Sequence, residues 1–224
     1  MKILLNFVLF TALTFTVISC KDKTIDVDTA SNVASTEGTA FITDSDKTII
    51  NWEGSKPTGK HSGTINVSDG KIFINNGKIS AGSFNIDLNT ITVTDLTGDD
   101  KAGLESHLKG TEAEDADHFF NVTKYPTGKF EVTSVSDTTL ENGGNTIVKG
   151  NLTLKNITRE ISIPANVTTT DASVSVVSNP FTINRTYWGI NYRSKNIFTE
   201  LGDKFINDDI VLQINLTAKP APVQ

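Results

Sequence analysis

The sequence predicts an all-β fold, a closed antiparallel barrel of about eight to ten strands with one or two short helices. Three observations carry this. Apolar residues alternate with polar ones over short stretches, as at Ile210, Leu212, Ile214 and Leu216. Gly- and Asn-rich clusters separate those stretches, and 31 threonines tilt the composition toward strands. Closure leaves no long Thr/Ile-rich edge exposed.

Composition narrows the class of function. The 224 residues are 37% hydrophobic with a formal net charge of −6, which fits a globular body rather than a disordered chain. An acidic chain with no basic stripe is not expected to bind nucleic acid. A single cysteine excludes an internal disulfide framework and a Cys-cluster zinc site.

The N-terminus reads as an address. Lys2 precedes an apolar run from Ile3 to Ile18, too short to span a bilayer and typical of a signal peptide over residues 1–19. The run ends in Val17-Ile18-Ser19-Cys20, which resembles the lipobox of bacterial lipoproteins. That resemblance implies acylation of Cys20 and a covalent membrane anchor, with Lys21 in the next position pointing to the outer membrane. Residues 20–40, rich in Ser, Thr, Asp and Ala, are expected to form a flexible tether. The barrel is expected over 41–219, with a short tail over 220–224.

Within the barrel, Phe84, Ile86 and Leu88 alternate, as do Leu152 with Leu154 and Ile161 with Ile163. Turns are expected at Ser68-Asp69-Gly70, Asn75-Asn76-Gly77, Glu141-Asn142-Gly143-Gly144 and Lys155-Asn156. Ile79 falls off the parity of Phe84, and a bulge at Gly82 would restore it. One segment has helical spacing: Asp99 to Lys109 carries Leu104 and Leu108 at i,i+4, an acidic start and Gly110 as a stop.

Several clusters then occur in the order seen in the YceI-like family. They are Trp52-x-Gly54-x-Lys56 with Gly59-Lys60-His61-Ser62-Gly63, and Gly82-Ser83-Phe84-x-Ile86-Asp87. His107-Leu108-Lys109 follows, with Asp117-His118-Phe119-Phe120-Asn121-Val122 and Lys124-Tyr125-Pro126. Gly150-Asn151-Leu152-Thr153-Leu154 and then Arg185 with Trp188-Gly189 complete the series. The chain resembles that family over residues 41–218 and departs from it in the acidic stretch Thr111 to Ala116. The resemblance implies a lipocalin-like eight-stranded antiparallel β-barrel holding a long isoprenoid or fatty amphiphile in an apolar interior.

Such a ligand needs an aliphatic and aromatic inner face with polar groups at one mouth. The expected ligand-binding residues are Phe84, Ile86, Phe119, Phe120, Phe130, Phe181, Arg185 and Trp188, with Phe198 and Phe205 as further aromatic surface. Strand parity from Phe181 and Ile183 turns Arg185 inward, where a cation is costly unless paired. Two roles compete: binding an anionic headgroup, or closing the barrel end by stacking on Trp52 or Trp188. The second is favoured.

His61, His107 and His118 show no local ligand spacing, so no metal site is expected. No Gly-x-Ser-x-Gly elbow or phosphate loop occurs, and the chain reads as a non-enzyme without a resident cofactor beyond a bound lipid. Two readings follow: a lipid-anchored envelope carrier or buffer of isoprenoid-like lipids, or a structural or stress-protection barrel filled by its own side chains. A cavity that brings His61 or His107 beside an Asp or Glu would revive an enzymatic reading. The sequence specifies no oligomeric state.

Overall fold

A computed structural model describes residue 25 and residues 27–140 and 143–222. The expected signal peptide and Cys20 lie outside the described residues, as do Glu141 and Asn142 of the expected turn. In chain order the strands are β1 (Val27–Thr29), β2 (Thr39–Thr43), β3 (Ile49–Lys56), β4 (Gly59–Asn75), β5 (Lys78–Val93), β6 (Thr127–Asp137), β7 (Thr146–Leu154), β8 (Ile157–Thr169), β9 (Val174–Ser178), β10 (Phe181–Asn184) and β11 (Asp209–Pro220). One α-helix, α1 (Gly98–Lys109), lies between β5 and β6.

Eight strands close an antiparallel barrel. The run β3 to β9 pairs neighbour with neighbour, β9 pairs with β11, and β11 returns to β3. The expected eight-stranded barrel is therefore the observed fold. Three further strands complete the wall. β2 fits between β4 and β11, and β10 pairs with the start of β11.

β1 overturns part of the tether expectation. Val27–Thr29 pairs with Arg159–Ile161 of β8, and the Ile25 N–H donates to the Thr182 carbonyl of β10 at 3.0 Å. Ile25 and Val27 pack against the core, so this segment seals the seam that β9 is too short to cover. Further on, the Ser31 N–H donates to Asn151 Oδ1 at 3.0 Å and the Ala34 N–H to the Val132 carbonyl at 2.9 Å. Ile25, Val27 and Thr29 alternate with Asp26 and Asp28, a period of two short enough to pass for tether composition. At the other end, β11 reaches Pro220 and the Ala221 N–H donates to the Ala40 carbonyl, so the tail starts later than expected.

The turns follow their chemistry. Asn76 and Gly77 both adopt positive φ (51° and 77°), as do Lys155 and Asn156 (47° and 61°), the signature of tight two-residue hairpins. Ser68-Asp69-Gly70 is not a turn. β4 runs through it with an extra residue at Ser68, and a Cβ on Gly70 would stand 2.4 Å from the Phe84 ring. The parity slip near Ile79 is a bulge at Ser80 rather than Gly82, because Ala81 pairs with Phe73 and Ile79 with Ile74. Ser80 Oγ donates to the Phe73 carbonyl at 3.1 Å there.

The interior has two parts. Phe84 pairs in register with Phe130, and Phe130 with Leu152, so all three face inward. The Phe84 and Phe130 rings lie 6.4 Å apart, and a Cβ on Gly150 would come within 2.2 Å of the Phe130 ring. Glycines thus make room for two rings that fill the barrel at this level. Toward the end carrying the β3–β4 and β7–β8 turns the interior opens. Helix α1, expected over 99–109, sits over that end; Gly110 stops it in the left-handed region (φ 66°), its N–H donating to Ser106 and His107 carbonyls.

Candidate functional site

The open part of the barrel is a cavity of about 490 Å³. Ile50 and Trp52 of β3, Ile65 of β4, Ile86, Leu88 and Ile91 of β5, Leu152 and Leu154 of β7, and Ile210 and Leu212 of β11 form its wall. Leu104, His107 and Leu108 of α1 and the following Phe119 and Phe120 cover one side of the mouth. The connection from β10 to β11, with Trp188, Ile190, Tyr192 and Ile206, covers the other.

Of the expected ligand-binding residues, Ile86, Phe119, Phe120, Arg185 and Trp188 line this cavity. Phe84, Phe130 and Phe181 do not; Phe84 and Phe181 are buried in the core and Phe130 packs against it. Phe198 is 47% exposed and stands outside, while Phe205 lies against Lys195 Nζ at 4.9 Å. Strand alternation finds the inward face but cannot say at which height the interior is hollow.

Arg185 is buried, and neither expected role describes it. Its Nη2 donates to Asp208 Oδ1 and to the Ile206 carbonyl, both at 3.2 Å. Nη1 donates to the Ile190 carbonyl at 2.7 Å and Nε to the Asn207 carbonyl at 3.2 Å. Four of its five N–H groups are thus committed to this chain. Burial pulls the guanidinium below its usual pKa, and Asp208 opposes that. The cation–π contacts among the described residues involve Lys124, Arg193 and Lys195, so no tryptophan stacks on Arg185. Trp188, fully buried, donates its Nε1–H to the Leu152 carbonyl at 2.9 Å instead.

The rim carries charge, of which the sequence clusters include Lys56 but not Arg193 or Lys204. Lys56, Arg193 and Lys204 line the mouth, and none forms an ion pair among the described residues. Asp203 is the one carboxylate in the described lining. Trp52 Nε1 is buried without an acceptor among the described residues, the single orphan donor on the cavity wall. Lys155, at the β7–β8 turn, donates to the Phe119 carbonyl at 2.7 Å and so fixes the Phe119-Phe120 segment to the barrel. Desolvation lowers its pKa.

Of the two rim histidines, His61 meets a carboxylate, the arrangement that would revive an enzymatic reading, and His107 meets a second histidine. His61 Nδ1 lies 2.9 Å from Asp95 Oδ2, and Asp95 Oδ1 accepts the Ser62 N–H at 3.0 Å. His107 Nε2 lies 2.9 Å from His118 Nδ1, which is 3.1 Å from Asp115 Oδ1. Desolvation lowers the His107 pKa, with Asp115 opposing. Neither imidazole is bonded to a hydroxyl or thiol nucleophile among the described residues. The second cluster joins residues 11 apart from a helix end and a turn, and no local spacing signals it.

Comparison with known proteins agrees with this architecture. The model of the YceI-like domain family matches residues 41–218. A UPF0312 protein of Shewanella denitrificans is 31% identical over 104 residues, 46% of this chain and 48% of that protein. The chain thus spans about half the length of that curated relative. Among solved structures, Burkholderia cenocepacia BcnA matches with a TM-score of 0.60 at 16% identity, covering 79% of this chain and 99% of that one. A polyisoprenoid binding domain from Saccharophagus degradans, implicated in plant cell wall breakdown, matches with a TM-score of 0.58 at 16% identity, over 82% and 99%. At such identities these likenesses show the fold, while the family match runs from β2 to within two residues of the end of β11. The chain belongs to the YceI-like domain family.

Proposed function

We propose that the chain binds a long apolar lipid, an isoprenoid or fatty amphiphile, with its tail in the cavity and an anionic headgroup at the rim. The observation that carries this is the cavity itself: about 490 Å³ with aliphatic and aromatic walls, inside the roughly 300–1,000 Å³ range of ligand sites. A purely structural barrel would be filled throughout, as it is only around Phe84 and Phe130. Lys56, Arg193 and Lys204, rather than Arg185, are the cations free to meet a headgroup. The polyisoprenoid-binding neighbour supports the same ligand class.

A lipid of this kind also prefers a bilayer to water, so the roughly 0.8 kcal/mol per buried CH₂ largely cancels between cavity and membrane. Exchange with membranes follows, which suits a carrier or buffer. We place the protein in the bacterial envelope, anchored through acylated Cys20, most simply on the outer membrane. Four residues, Lys21 to Thr24, separate Cys20 from Ile25, and the five Cα steps reach at most about 18 Å, so the anchor would hold the barrel close to the bilayer. No catalytic role is assigned.

The test is native mass spectrometry with organic extraction of the chain from residue 21 onward, with Ile86→Trp as the blocked control. Co-purification or uptake of a polyprenyl or fatty amphiphile by the parent and not by the control supports the proposal. Failure of every endogenous and added amphiphile to bind the parent overturns it.

A further inference from the structure

We propose that His107, His118 and Asp115 bind one divalent transition-metal ion of the zinc class at the rim of the cavity. Their donor atoms all lie within 4.8 Å of one another. The closest pairs are His107 Nε2 to His118 Nδ1, 2.9 Å, and His118 Nδ1 to Asp115 Oδ1, 3.1 Å.

Hydrogen bonding alone serves this arrangement badly. His118 Nδ1 faces both partners but carries at most one proton there. If it donates to Asp115, His107 Nε2 is left at best a share of that same proton in a three-centre bond, and a protonated Nε2 would meet an N–H. If it accepts from His107, its lone pair faces the Asp115 carboxylate. A single cation satisfies three converging lone pairs at once. Ligands about 2.05 Å from a tetrahedral ion stand roughly 3.3 Å apart, so the close pairs need open by only a few tenths of an ångström.

The rings are already held. Phe119 lies edge-on to His107, with centroids 5.1 Å apart at 87°, and Tyr192 lies edge-on to it from the β10–β11 connection at 5.0 Å and 80°. Tyr192 also stacks on His118 at 3.9 Å and 25°. Three segments of the chain thus preorganise the donors. Two imidazoles and one carboxylate suit a borderline ion and leave a fourth position for water or an incoming anion. Asp115 supplies one compensating charge and Glu112 and Glu114 flank it in sequence, while Arg193 acts against a cation. Asp115 belongs to the acidic stretch where this chain departs from the family pattern, while His107 and His118 stand in the clusters shared with it, so the carboxylate is the ligand particular to this chain. It does not depend on what the cavity holds.

The test uses the full chain in detergent, stripped with EDTA and titrated with Co²⁺ as a spectroscopic probe and Zn²⁺ as competitor. Expected are one equivalent of Co²⁺ with the visible bands of a four- or five-coordinate ion, and displacement by Zn²⁺. His118→Gln and the nearly isosteric Asp115→Asn should each weaken binding by about tenfold or more, with unchanged far-UV circular dichroism. No stoichiometric binding by the parent chain would overturn the proposal. So would equal binding by both variants, which would move the ion elsewhere, for example to His61 and Asp95.

Discussion

Arg185 and Asp208 form a buried ion pair, 3.2 Å from Nη2 to Oδ1, that joins the two ends of the long connection between β10 and β11. Asp208 Oδ2 also accepts from Ser194 Oγ at 2.8 Å and Asn196 Nδ2 at 2.7 Å. One carboxylate therefore gathers the segment that forms half of the cavity mouth. Asp208→Ala leaves a guanidinium buried without its counter-charge, and urea denaturation should show a loss of about 3–5 kcal/mol. The double variant Arg185→Met, Asp208→Leu should lose less than Asp208→Ala alone. A loss under about 0.5 kcal/mol, usual for surface changes, would show that the pair does not organise this segment.

A second prediction concerns Gly63, which lies beneath Trp52. A Cβ there would meet the Thr92 carbonyl oxygen at 1.9 Å and the indole at 2.6 Å. The carbonyl belongs to β5 and cannot move without breaking the β4–β5 ladder. Gly63→Ala should therefore cost at least the roughly 1–3 kcal/mol of ordinary overpacking, read as a lowered thermal midpoint. Gly77, whose surroundings are open, makes the contrast: Gly77→Ala is penalised only through its positive φ of 77°.

Much of this fold was legible because alternation and tight-turn residues are local signals. The strands holding Phe84 to Leu88, Leu152 with Leu154 and Ile210 to Leu216 are where their patterns put them, and α1 begins one residue earlier than expected. Ser68-Asp69-Gly70 misled because Gly70 serves the Phe84 ring, a contact made across strands. The site was legible in its aliphatic wall but not in its rim. For Arg185 the sequence offers tryptophan stacking or a headgroup as its partner, because Asp208, its actual counter-charge, lies 23 residues away. His107 and His118 meet only once the helix end and the turn at residues 112–117 are folded together.

Acid should loosen the cavity mouth through Asp95. Its carboxyl is held below the usual carboxylate range, first by the Ser62 N–H, with His61 adding to the effect and desolvation opposing it. A carboxylate with a lowered folded pKa contributes stability that is fully present above the unfolded value near 3.9 and is lost as pH falls through the folded value. Stability measured from pH 5 down to pH 2 should fall, and Asp95→Asn should flatten that slope. An identical slope in the variant would assign the acid sensitivity to other carboxylates, such as Asp44 with Lys219 or Asp117 with Asn121.

The last prediction separates anchor from barrel at the N-terminus. Ile25 and Val27 pack against the core while β1 bonds to β8, and Ile25 reaches β10 through Thr182. Removing residues 21–30 therefore opens the seam between β8 and β10 and exposes two strand edges there. Fully burying such side chains is worth about 1.5–3 kcal/mol each, and both are half-buried, so with the lost ladder bonds the deletion should cost about 2–4 kcal/mol. Removing residues 21–24 alone deletes none of these contacts and should stay within about 0.5 kcal/mol of the parent. Thermal unfolding of the two deletions decides between a wall strand and a passive tether. Equal midpoints would mean that β1 adds nothing to closure, and that the barrel is complete from residue 31 onward.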